Sequence, residues 1–228
     1  MSLTVVMACE LLPTDHTGPS VFLAGPTPRL DTVPSWRPDA IAELDRQWTG
    51  PDLPELTVYS PESRAAHYDD QVDWETDARE RASAILFWIP RDLVHLPGMT
   101  TNVEFGLDVT TGRAVLGYPP DCPNPDRNRY LIWVAHRHGA PGRDTLPDTV
   151  TAALTLARNA FTTRWSPGLL KSAPGSAIII PPHTPRPLYR ATRAGRGAFS
   201  RSGPLRLSST VRWPHTPPGG AATETVSQ

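Results

Sequence analysis

The strongest constraint in the chain is a rhythm. Between residues 20 and 160, short apolar runs alternate with longer segments patterned at helical spacing. VFLA at 21–24 and AILFWI at 84–89 contain no polar residue, the composition of strands covered on both faces. LTVY at 56–59, AVL at 114–116 and YLIWVA at 130–135 read the same way, and LTVVMA at 3–8 is a further short strand. The intervening segments read as helices. In residues 39–48, Ile41, Leu44 and Trp48 share a face; a second helix carries Asp69 to Arg81; a last one spans 146–160. This alternation predicts an α/β domain on an open, mostly parallel five-stranded sheet with helices on both faces.

The rhythm stops at Pro167. The chain has 228 residues and 27 prolines, and much of that proline lies beyond this point. Residues 1–19 read as an N-terminal arm, 20–166 as the folded domain and 167–228 as a Pro/Arg-rich, disordered tail. The formal net charge of -1 hides an uneven distribution. The tail holds eight basic residues against one acid, leaving 14 basic and 22 acidic residues before it. Such a tail can meet a polyanion, although its positives are spread without a folded motif. Cys9 and Cys122 form no metal-binding spacing and suggest no disulfide framework, which fits a reducing cytoplasm. The apolar runs fall well short of a bilayer span, so no membrane is expected; no His, Cys and acid group shows metal spacing, and no metal or other cofactor is expected.

One stretch carries more chemistry than the rest: GMTTNVEFG at 98–106, opening a helix that runs on to Gly112. Thr100, Thr101 and Asn102 stand where a helix N-terminus is usually written, which puts Glu104 in the first turn. The helix dipole there favours an anion, so Glu104 stays ionised and becomes a candidate nucleophile. Its alternative role is to support the helix electrostatically. Thr101 and Asn102 either bond a ligand or cap the helix. At the end of the first apolar run, Gly25 lets a ligand approach the backbone and Pro26 stiffens the loop that follows. Trp36 is a candidate aromatic wall, whereas Trp88 belongs to the core. Asp69, Asp73 and Asp77 share a helical face, and Asp70 and Glu75 lie beside it. These acids are either solvated or turned to hold sugar hydroxyls. Arg29, Arg37 and Arg91 are candidates for meeting a phosphate.

Taken together, VFLAGPTPR, Trp36–Arg37, VDWE at 72–75, AILFWIP and PGMTTNVEFG resemble the nucleoside 2-deoxyribosyltransferase-like family over roughly residues 20–160. The resemblance implies a flavodoxin-like or Rossmann-like sheet, with substrate outside the C-terminal ends of the strands. It also implies a homo-oligomer and a reaction in which the sugar of a nucleoside or nucleotide passes from one base to another. By resemblance Glu104 is the nucleophile that captures the anomeric carbon, in a retaining displacement through a covalent intermediate. Proton delivery to the departing base then falls to a second carboxyl, with Asp70, Asp73 and Asp77 as candidates. Ser83 and Gly98 stand about where typical members carry acids, and Asp92 is a candidate to fill one of those roles. Two alternatives remain open: an N-glycoside hydrolase, in which water is the acceptor, and a nucleotide-binding module without turnover.

Overall fold

The computed structural model describes residues 3–14, 18–62 and 68–165. The tail assigned to 167–228, with the disorder and nucleic-acid contact expected of it, lies outside the described residues. The strands are β1 (Leu3–Met7), β2 (Ser20–Ala24), β3 (Leu56–Ser60), β4 (Ala84–Trp88), β5 (Ala114–Gly117) and β6 (Gly142–Arg143). The helices are α1 (Arg37–Gln47), α2 (Tyr68–Arg81), α3 (Met99–Asp108), α4 (Arg129–Arg137) and α5 (Leu146–Trp165). All neighbouring strands pair in parallel, in the order β1-β3-β2-β4-β5-β6. The α/β architecture is the expected one, with six strands rather than five.

Strand pleating explains the two cores. In β2, Val21 and Leu23 point into a cluster with Ala40 and Leu44 of α1 and Val150 and Ala153 of α5. Phe22 and Ala24 point the other way, into a cluster with Trp74 and Ala78 of α2, Phe105 of α3 and Leu131 of α4. Alternate side chains leave a strand on opposite faces, so a run without polar residues is what two-sided coverage demands. Phe22, Leu23, Ile85, Leu86 and Phe87 are essentially inaccessible to solvent, each contributing about 1.5–3 kcal/mol of transfer free energy.

The strand read at 3–8 forms as β1 on the sheet edge, pairing along the whole of β3 from Leu3↔Leu56 to Met7↔Ser60. Two differences from the sequence reading have physical causes. Residues 130–135 are helix α4, not a strand. Leu131 and Ala135 face the core four residues apart while Tyr130 and Trp133 are exposed, and their rings stack at a centroid distance of 5.9 Å. The sixth strand is instead the two-residue β6, paired with β5. Finally, α3 begins at Met99 with Gly98 in the left-handed conformation (φ 57°, ψ 45°) as its N-cap. No side chain caps it. Glu104 therefore lies in the second turn, beyond the first-turn N–H groups.

The connection from β2 to β3 leaves β2 on one side and that from β3 to β4 returns on the other. This reversal between β2 and β4 opens a crevice at the C-terminal ends of the two strands, where ligands of open α/β sheets bind. Among the described residues, no helix is long and apolar enough to cross a membrane.

Candidate active site

A cavity of about 600 Å³ occupies this crevice. Phe22 and Ala24 of β2 form its floor, the 25–29 loop one wall, and α2 and α3 the others. Its titratable lining, among the described residues, is Arg29, Arg37, Glu75, Arg79 and Glu104.

The loop after β2 is held from behind by the Trp36–Arg37 pair. Trp36 Nε1 donates to the Pro26 carbonyl at 3.1 Å. Arg37 Nη2 donates to the Gly25 carbonyl at 2.9 Å, Nε to the Leu23 carbonyl at 3.4 Å and Nη1 to Thr27 Oγ1 at 3.2 Å. Arg37 is 1% exposed. Burial lowers its guanidinium to about 10, against the pull of Glu62, Glu75 and Glu104, so it remains a cation at neutral pH facing the cavity acids.

Gly25 is required by its surroundings. At φ 153° it occupies a conformation that other residues rarely adopt, and a Cβ there would lie 2.4 Å from the Trp88 carbonyl oxygen and 2.6 Å from Trp36 Cζ2. Gly25→Ala is therefore expected to cost about 2–4 kcal/mol through overpacking and backbone strain. Urea unfolding checks this, as a lowered midpoint with an unchanged slope.

Arg91 organises the opposite wall. It is buried, and Nε donates to Asn128 Oδ1 at 2.9 Å while Nη2 donates to Asn102 Oδ1 at 2.7 Å. Nη1 donates to the Pro97 and Gly98 carbonyls, and Asn128 Nδ2 reaches the Ile89 carbonyl at 3.0 Å. This knot fixes the 91–98 loop and the start of α3. Glycine suits position 98, where φ is 57° and a Cβ would lie 3.0 Å from Arg91 Nη1, so that Arg91 would have to shift.

Helix α2 presents Gln71, Val72, Glu75, Thr76 and Arg79 to the cavity, while Trp74 and Ala78 are buried in the core. Gln71 Nε2 donates to Glu75 Oε1 at 2.7 Å and to the Pro61 carbonyl at 3.2 Å, orienting the carboxyl. Burial raises the Glu75 pKa, while the Gln71 hydrogen bond and then Arg37 and Arg79 oppose the rise. Glu104 is likewise raised first by burial; Arg79 and Arg37 lower it, Glu75 and Asp108 raise it. Two partly buried carboxyls thus share one cavity with Arg37 and Arg79, and burial pushes both towards the protonated form.

Of the residues expected at the site, Gly25, Pro26, Thr101 and Glu104 line this cavity. Trp36 stands behind the loop. Asn102 is engaged by Arg91. Asp92 accepts from Val94 N at 2.8 Å and pairs with His95 Nδ1 at 2.7 Å within its own loop. Asp70, Asp73 and Asp77 are exposed and lie outside the lining. Of the three arginines considered for a phosphate, Arg91 is committed to the scaffold, while Arg29 and Arg37 line the cavity. Ser83, where an acid was expected, exchanges hydrogen bonds with Ser20 instead: Ser20 N to Ser83 Oγ at 3.2 Å and Ser83 N to Ser20 Oγ at 3.0 Å.

Glu75 was one of five α2 acids that the sequence offered for sugar hydroxyls, not a candidate for proton delivery, and Arg79 was not a site candidate. The signal for them is the row Gln71, Glu75, Arg79 at four-residue spacing, beside the apolar row of Trp74 and Ala78 that fixes the core face of α2. Among the described residues no group of His, Cys, Asp and Glu could hold a metal ion. Cys9 and Cys122 are both free thiols.

None of the curated proteins matches the chain. The sequence profile of the family described as Nucleoside 2-deoxyribosyltransferase like matches residues 18–122. The chain is thus similar to that family over residues 18–122, the span that contains every residue lining the cavity.

Proposed function

We propose that the cavity cleaves the N-glycosidic bond of a nucleoside or nucleotide and passes the sugar to a second base, with Glu104 as nucleophile and Glu75 as the acid that protonates the departing base. The observation that carries this reading is the pair itself: two carboxyls, one cavity, both pushed towards protonation by burial and both faced by arginines. Retaining glycosyl transfer needs one carboxylate under the sugar ring and one carboxylic acid beside the leaving group. As the C–N bond breaks, positive charge builds on the anomeric carbon. The Glu104 carboxylate stabilises it and forms the ester bond; Glu75 gives its proton to the base, then takes one back from the incoming base. Gly25 and Pro26 leave room for the substrate at the end of β2, and Thr101 offers its hydroxyl. The protein works by this reading without a cofactor of its own, as a homo-oligomer.

Water is the competing acceptor, because Met99, Val103 and Leu107 at the rim are 64–69% exposed. The experiment is chromatographic. The protein is incubated with a panel of nucleosides and nucleoside 5′-phosphates, with and without a second free base. Formation of the exchanged nucleoside, with retained anomeric configuration by NMR, is the expected result. Free base and free sugar alone would make the enzyme a hydrolase, and no turnover across the panel would leave a binding module.

A further inference from the structure

Arg79 is placed unlike the other cavity arginines. Arg37 spends its donors on Leu23 of β2 and on Gly25 and Thr27 of the loop that follows. Arg79 reaches from α2 across to α3, where Nη1 donates to Asp108 Oδ2 at 3.1 Å, with both side chains nearly nine-tenths buried. Asp108 is one helical turn beyond Glu104 and so lies on the same face of α3. The base of the arginine is fixed as well. Arg113 Nη1 donates to the carbonyls of Arg79, Glu80 and Ala82, at 2.7, 3.3 and 2.6 Å, closing the end of α2. Arg79 Nε is buried without a hydrogen-bond partner. Asp108 thus holds the guanidinium and Arg113 the main chain of Arg79, at the wall of the cavity that Arg79 lines.

We propose that Arg79 is a positioning residue, a counter-cation held by Asp108 at the wall of the cavity it shares with Glu104, so that the Glu104 carboxylate is ionised when substrate enters. The charged groups facing Glu104 are Glu75 and Arg79 from α2, Arg37 from α1 and Asp108 from its own helix. Two of these oppose ionisation of Glu104 and two favour it, and Arg79 is the larger of the favouring pair. A buried carboxylate without a counter-charge takes up a proton instead of staying charged. The consequence for catalysis rests on the glycosyl-transfer reading, but the role of Arg79 is measurable without turnover.

The test is a side-chain carboxyl titration by 13C NMR in glutamate-labelled protein, with the Glu104 signal assigned from its loss in Glu104→Gln. Arg79→Gln alone removes the hydrogen-bonded partner of the buried Asp108 and leaves it facing Arg113 alone, which can unfold the protein. The informative pair is therefore Asp108→Asn against Asp108→Asn/Arg79→Gln, in which an amide pair keeps the α2–α3 contact neutral. The Glu104 midpoint is expected to lie about one pH unit or more higher in the double variant, and Asp108→Asn/Arg79→Lys to bring it back towards the single variant. Equal midpoints in single and double variants would overturn the proposal. Where turnover is measurable, the acid limb of the kcat/KM profile is expected to move with the midpoint. Failure of the transfer reading shows separately, as an inactive wild type whose Glu104 still titrates with this dependence on Arg79.

Discussion

Glu104→Gln is expected to lose sugar transfer by about 10⁴-fold or more, the scale on which enzymes lose activity when a covalent nucleophile is removed. The amide keeps the shape and packing of the site but cannot capture the anomeric carbon. The loss should fall on kcat with little change in substrate binding, and no sugar–protein adduct should appear in the mass spectrum of the quenched reaction. The same variant is expected to gain thermal stability at neutral pH. The sign follows from burial, which raises the Glu104 pKa in the folded protein. Between its ordinary value and that raised value the folded state binds more protons than the unfolded chain, so stability declines as pH rises through the window. Above it the wild type holds a partly buried carboxylate that the fold tolerates at a cost, and glutamine removes the charge. Melting curves from pH 4 to 8 check this: the gap in Tm between variant and wild type should open as pH increases. A variant equally inactive but less stable throughout would assign Glu104 to the scaffold.

Glu75→Gln is expected to reduce transfer by about 10²–10⁴-fold, the usual contribution of a positioned general acid. Its diagnostic is the leaving group. A base that departs readily as an anion needs little protonation, so the loss should shrink for nucleosides of such bases and be greatest for poor leaving groups. The alkaline limb of the pH–rate profile, which reports the acid, should disappear. Burial raises Glu75 towards the pH at which a proton donor is useful, while Gln71 holds its carboxyl in place. Uniform loss over all leaving groups would make Glu75 a binding group.

The residues differ in how openly the sequence announces them. β2 and β4 were legible because a short run with no polar residue has few alternatives to a doubly covered strand. Glu104 was legible as a member of a motif, but its position in the helix was not. Thr100, Thr101 and Asn102 mimic a cap, whereas the true start is set by Gly98 and by Arg91, which binds the 97–98 carbonyls from outside the helix. No local pattern encodes a side chain arriving from seven residues upstream. Residues 130–135 misled for a related reason. Six apolar residues fit a strand as well as a helix, and the choice fell to packing, with Leu131 and Ala135 meeting the core and Tyr130 and Trp133 left outside. The acid of α2 was obscured by its neighbours. Among Asp69, Asp70, Asp73, Glu75 and Asp77, the residue that lines the cavity is decided by which side of α2 Trp74 buries, a tertiary fact.

Helix α3 carries two parallel rows past the cavity. Met99, Val103 and Leu107 follow one another at four-residue intervals, and Thr100, Glu104 and Asp108 form the adjoining row. The first row is apolar, exposed and at the rim; the second holds the carboxylate and the anchor of Arg79. A change of side-chain volume in the first row alters what the mouth admits without displacing the reactive oxygen in the second. On the glycosyl-transfer reading this helix keeps selection and reaction on separate tracks, so one substrate could be exchanged for another by mutating residues that take no part in bond making.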